Sequence, residues 1–139
     1  MATQIYVNLP VKNLDKSQRF FKRLGFTFDP KLTNENAACM IVAEGIYVML
    51  LVEEFFKTFT PHPVGDATRS TEVIVCLSCE SREAVDLMVR NAAAAGAKTS
   101  SQPVDHGLMY QHGFQDLDGH LWEVMFMEPT YVHIGPEDV

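Results

Sequence analysis

The sequence predicts an α+β protein built from two βαβββ modules. One observation is order: each half of the 139 residues runs through a strand, a helix closed by glycine, a short strand and two longer strands. A second is punctuation: Gly25 answers Gly96 after the helices, and Gly45 answers Gly119 before the last strands. A third is the change of hydrophobic period within each half, from alternation to a helical stripe and back. The expected divisions are a first module over 4–53, a linker over 54–70, a second module over 71–127 and an extended tail over 128–139.

Residues 4–11 alternate, with Ile5, Val7, Leu9 and Val11 on one face and Tyr6 and Asn8 on the other, as a half-buried strand does. Pro10 suits its end. Residues 15–24 read as a helix with Asp15 as N-cap, Phe20, Phe21 and Leu24 as the apolar stripe, and Gly25 as the residue after the last turn. Lys16, Arg19, Lys22 and Arg23 form its solvated side. A short strand at 26–28, a buried run at 37–43 and a strand at 46–52 follow. The last is apolar on both faces, which calls for a helix on one side and an enclosed space on the other.

Pro61, Pro63 and Gly65 mark the linker. Phe55, Phe56 and Phe59 before them have helical spacing and cover a core edge, or serve as a lid or subunit contact. In 71–79, Val73, Val75, Leu77 and Cys79 share one strand face, and Glu72, Ile74, Cys76 and Ser78 the other. Cys76 and Cys79 have the spacing of a zinc knuckle, but on a strand they point apart. Residues 81–95 form a second helix, with Ser81 as N-cap, Val85, Met88, Val89 and Ala92 as its stripe, and Gly96 after it. Further strands fall around Lys98, at 108–114 and at 121–127. A tight Asp116-Leu117-Asp118-Gly119 turn feeds the last strand, in which Glu123 stands alone among Leu121, Trp122, Val124, Met125 and Phe126. A carboxylate there is costly unless it faces water, a partner or a ligand.

Composition narrows the classes. A hydrophobic share of 47% with 21% charged residues is that of a folded globular chain. A net charge of −7 argues against a nucleic-acid or anionic-membrane surface. No apolar run approaches the roughly 20 residues of a membrane span. The residues Met1-Ala2-Thr3-Gln4 lead straight into a strand pattern, with no signal-peptide character. Cys39, Cys76 and Cys79 are odd in number and sit in apolar segments, so reduced thiols in a cytoplasmic protein are expected.

The opening NLPVKNLDKSQRFFKRLGF, the middle SREAVDLMVRNAAAAGA and the closing QDLDGHLWEV resemble the vicinal oxygen chelate superfamily of glyoxalases, bleomycin-resistance proteins and extradiol dioxygenases. The resemblance runs to about Glu128. It implies that the two modules curl into an open eight-stranded cup, with helices outside and the active site inside. In metal-dependent members, each module supplies ligands from its first and last strand. Those positions fall here at Tyr6, Met49, Ile74 and Glu123. Only Glu123 is a good ligand for a hard or borderline ion; Met49 is a soft thioether, Ile74 has no donor, and a phenol with a pKa near ~10 stays protonated. No metal site and no cofactor are therefore expected. The alternative is a divalent metal on an atypical set, Glu123 with a histidine from 106–120.

Strand parity leads to the same cup. If the helices cover Val7, Leu9, Val48, Leu50, Val73, Val75, Trp122 and Val124, the opposite faces carry Tyr6, Asn8, Tyr47, Met49, Leu51, Glu72, Ile74, Cys76, Leu121, Glu123 and Met125. This apolar, sulfur- and aromatic-rich lining with a few polar groups suits a small-molecule pocket. Glu123 is the expected catalytic group, as base or hydrogen-bond acceptor. Tyr6, Asn8, Tyr47, Met49, Glu72, Ile74, Cys76, Tyr110 and Met125 are the expected ligand-binding residues. Tyr110 and His112 share one strand face and Met109 and Gln111 the other; which pair faces the cup stays open. His106 and His120 read as turn residues, and no chemistry is expected of His62 or His133. The expected function is metal-independent binding of a small organic molecule, with or without turnover. The alternatives are a metal-dependent lyase or dioxygenase and a purely sequestering protein. The Phe55, Phe56 and Phe59 patch and the tail point to a homodimer.

Overall fold

The computed structural model describes residues 2–99, 102–131 and 134–138. The first sheet has the order β1-β4-β3-β2, from strands Ile5–Val11, Thr27–Asp29, Ala37–Ala43 and Ile46–Val52. The second has the order β5-β9-β8-β6, from Ile74–Ser78, Lys98–Thr99, Met109–Gln115 and Leu121–Met127. A two-residue strand, β7 at Val104–Asp105, also pairs with β8. Helix α1 (Leu14–Arg23) follows β1, and α3 (Arg82–Ala94) follows β5. These are the two predicted βαβββ units, as open sheets. The parallel pairs β1/β4 and β5/β9 are the signature of each unit.

The helix caps show how local sequence sets these boundaries. Asn13, not Asp15, caps α1: its side chain accepts from the Lys16 amide, and Asp15 lies in the first turn, where it complements the helix dipole. Ser81 caps α3 as expected, accepting from the Ala84 amide. Phe55 and Phe56 end a one-turn helix, α2 (Glu53–Phe56), and the Phe55 and Phe59 rings meet edge to face at 5.1 Å.

One hydrophobic core serves both modules. Phe20 and Phe21 of α1 pack with Leu9, Val48 and Leu50 of the first sheet and with Phe114, Trp122 and Val124 of the second. The Phe21 and Trp122 rings lie 5.1 Å apart across the module boundary. Leu9, Val48, Leu50, Trp122 and Val124, assigned by parity to the helix side, are buried, but Leu51, assigned to the open face, is buried as well, and Val73, assigned to the helix side, is exposed. No helix among the described residues is long and apolar enough to cross a membrane. Cys39, Cys76 and Cys79 are free thiols. His133 lies outside the described residues.

Candidate ligand-binding site

Residues that pair across strands share a face of the sheet, so register decides what meets on the open sides. In the first module Tyr6 pairs with Tyr47 and Asn8 with Met49. The two tyrosine rings stack with centroids 4.8 Å apart, and the Tyr6 hydroxyl donates to Gln4 Oε1 at 3.0 Å. In the second module Ile74 pairs with Leu121, Cys76 with Glu123, and Ser78 with Met125. Across the β8/β9 hairpin, Glu123 pairs with Gly113 and Met125 with Gln111. Glu123 therefore stands half-buried between an exposed thiol and a strand glycine. Burial pushes the Cys76 thiol above its usual range, and the neighbouring Glu123 carboxylate adds to the rise.

The register also settles the face of β8. Tyr110 pairs with Phe126 and belongs to the helix side, where its hydroxyl donates to Asp86 Oδ1 at 2.6 Å. Its expected place in the ligand pocket is corrected: the bond to an α3 carboxylate turns it away from the open face. That hydrogen bond, followed by burial, raises the Tyr110 phenol further. Nearby, the Arg82 guanidinium bonds Glu128 at 2.6 Å and lies over the Tyr110 and Phe126 rings. The open face of β8 instead carries Gln111, of the pair left open above, with Gly113 and Gln115, which the sequence reading passed over. Closing the hairpin between Gln115 and Leu121 around the Asp116–His120 turn would have revealed them.

Two pockets hold four of the ten expected site residues. A cavity of about 320 Å³ lies on the open face of the second sheet and includes Ile74, Lys98, Gln111, Gly113, Gln115 and Glu123. A cleft of about 530 Å³ between the modules is lined by Asn8, Phe56, His62, Glu72, His120 and others. Glu72 precedes β5 and lines this cleft from a loop. Tyr6, Tyr47, Met49, Cys76, Tyr110 and Met125 line neither, and of the four positions implied by the resemblance Ile74 and Glu123 lie in the cavity while Tyr6 and Met49 lie outside it.

The Asp-Leu-Asp-Gly-His turn joins the modules. Asp118 accepts from the Lys12 amide at 2.9 Å and from Ser17 Oγ at 3.3 Å. His120 Nε2 meets the Pro10 carbonyl at 2.6 Å, so that nitrogen carries the proton. Buried Asp116 accepts from the Asp118 and His120 amides and from Trp122 Nε1. The linker presses on the same turn: a Cβ on Gly119 would lie 2.8 Å from the Thr68 amide nitrogen. His120 is the structural turn residue that the sequence suggested.

The donors do not fit a divalent metal. Register puts Cys76, not Ile74, opposite Glu123, and Asn8, not Tyr6, opposite Met49. Glu123 and Cys76 offer one carboxylate and a thiol held towards its protonated form. No group of three or more His, Cys, Asp or Glu gathers among the described residues. Zinc sites use about three or four protein ligands.

The fold is shared with solved structures described as glyoxalase/bleomycin resistance protein/dioxygenase family proteins. Residues 3–43 match the bleomycin resistance protein-like N-terminal family. A hypothetical protein SA1046 from S. aureus superposes with a TM-score of 0.76 at 26% identity, over 91% of this chain and 95% of that one. A glyoxalase/bleomycin resistance protein/dioxygenase family enzyme from Burkholderia phytofirmans PsJN gives 0.75 at 17% identity, over 91% and 99%. A glyoxalase-related enzyme from Fulvimarina pelagi gives 0.76 at 18%, over 100% and 96%. No curated protein matches the chain.

Proposed function

We propose that the protein binds a small organic molecule on the open face of its second sheet, through its own side chains rather than a metal. The observation that carries this reading is Glu123, set in the 320 Å³ cavity beside Gly113 with its face open to solvent. A carboxylate there accepts hydrogen bonds from a ligand, and takes up a proton if the ligand is turned over. A thermal-shift screen of small organic molecules tests this, because a ligand that binds only the folded state raises Tm. Compounds that stabilise the wild type and lose their effect in Glu123→Gln support the reading. Compounds that stabilise both equally place the ligand elsewhere. Stoichiometric zinc, iron, nickel or manganese in protein purified without chelator or affinity resin would overturn the metal-independent part. Retained binding without turnover for every hit assigns the protein to sequestration.

The protein also forms a homodimer on this reading. Tyr6 and Ile74 stand 43% and 50% exposed on the open faces, and Phe59 is 68% exposed. A second copy removes such apolar surface from water. Light scattering that gives the monomer mass at working concentrations would end this reading.

A further inference from the structure

The open face of the second sheet carries one acid and one base that do not meet. Lys98 pairs with Gln115 and so shares the face of Gly113 and Glu123. Both charged residues line the same cavity. Yet the ion pairs among the described residues are Lys57–Glu54, Arg82–Asp105 and Arg82–Glu128. Lys98 is two strands and two residues away from Glu123, roughly 12 Å at the Cα atoms by sheet spacing and rise. Side chains stand roughly perpendicular to a sheet, so on this face the two charged ends are held apart by the span of a short methylene chain with a hydrogen bond at each end.

We propose that this face selects a zwitterion, a small molecule with an ammonium group at one end and a carboxylate at the other. The proposal rests on the second-sheet reading above and adds the chemical class. Glu123 takes the ammonium end, with the Gln111 amide oxygen diagonal to it as a second acceptor. Lys98 takes the carboxylate end, with the amide N–H of its paired Gln115 as a second donor. Gly113 lies between the two glutamines. A Cβ there would meet the Trp122 carbonyl at 3.0 Å and the Glu123 Cγ at 3.9 Å. Its absence lets a ligand lie close to the backbone, the use a strand glycine commonly serves. Ile74 and Leu121, paired beside it, give the methylene chain an apolar wall. A ligand with a single charge satisfies only one end.

The test uses ¹⁵N-labelled protein titrated with 6-aminohexanoate, with hexanoate and hexylamine as probes that each lack one charge. The expected result is saturable shifts at the Gly113 amide and at the Gln111 and Gln115 side-chain amides. Each single-charge probe should bind about ten-fold more weakly or worse, as should 6-aminohexanoate to Glu123→Gln and to Lys98→Gln. Dispersed spectra of both variants confirm folding. Hexylamine binding as well as 6-aminohexanoate, or undiminished binding to Lys98→Gln, overturns the zwitterion class while leaving the face as a ligand site. No shift at Gly113 with 6-aminohexanoate also overturns the class, and the Glu123-dependent hits of the thermal-shift screen then decide separately whether the face binds anything.

Discussion

Trp122 Nε1 donates to Asp116 Oδ2 at 2.9 Å, joining the first residue of the β8/β9 turn to the strand that leaves it. Both residues are buried, and the other oxygen of Asp116 accepts from the amides of Asp118 and His120. Asp116→Asn replaces one acceptor oxygen with a donor that then faces an N–H. A loss of about 1–3 kcal/mol in urea denaturation is expected, because a buried donor is left unpaired. Burial raises the Asp116 carboxyl above 3.8 in the folded state. The unfolded chain therefore gives up this proton first, and Asp116 costs stability as pH rises through the window above 3.8. The advantage of the wild type over Asp116→Asn should shrink with rising pH there; an advantage that grows would reverse the assignment.

Gly119 has φ of +90° with the linker backbone pressed against it. Gly119→Ala adds both left-handed strain and a contact with Thr68. The expected cost is about 1–3 kcal/mol, seen as a lower denaturation midpoint. Gly25→Ala is the control, since its φ is +103° but nothing lies within 4 Å of the added Cβ. Equal losses in the two would show that the linker contact carries no weight.

Phe21 is 1% exposed and packs on Trp122 of the other module. Phe21→Ala should cost about 3–5 kcal/mol, the usual cost of emptying an aromatic core site. Because the core is shared, far-UV and Trp122 fluorescence signals should fall together. Separate midpoints would mean that the modules unfold independently.

Cys76 is exposed, yet its thiol is raised by burial and then by Glu123. Alkylation at neutral pH should be slow for an exposed thiol, since the thiolate is the reacting form. Glu123→Gln removes the negative neighbour, lowers the thiol and speeds the reaction. Peptide-resolved alkylation rates against pH measure this; a slower rate in the variant would contradict the Cys76–Glu123 contact.

The two-module architecture was legible because it rests on punctuation and period. Gly25 and Gly96 do follow the two long helices with positive φ, and the alternating positions of β1, β4 and β9 face the core as parity requires. What was not legible depends on pairing. Tyr110 and Gln111 are both plausible pocket residues in isolation; only the hairpin register and the Asp86 bond divide them. The offset that places Cys76 rather than Ile74 beside Glu123 is likewise a property of two strands, not of either one. The Asp116–His120 segment was legible as a turn, but not what its polar residues hold. Their partners, Lys12, Ser17 and Pro10, lie more than a hundred residues away, a distance that local pattern does not span.

The two sheets end differently at their outer strands. β1 is the edge of the first sheet, where Pro10 removes one donor and its carbonyl is taken by His120. β5 is the edge of the second, and Ile74-Val75-Cys76-Leu77-Ser78 contains no proline, charge or glycine. An unguarded edge of that kind is a template for strand addition, and natural proteins usually blunt such edges with lysine or proline. The molecule is thus guarded against growing by strand addition on one side and open to it on the other. Crowding the protein in solution should extend it from the β5 margin first, and Ser78→Lys, on the exposed face of that strand, is the smallest change that would close it.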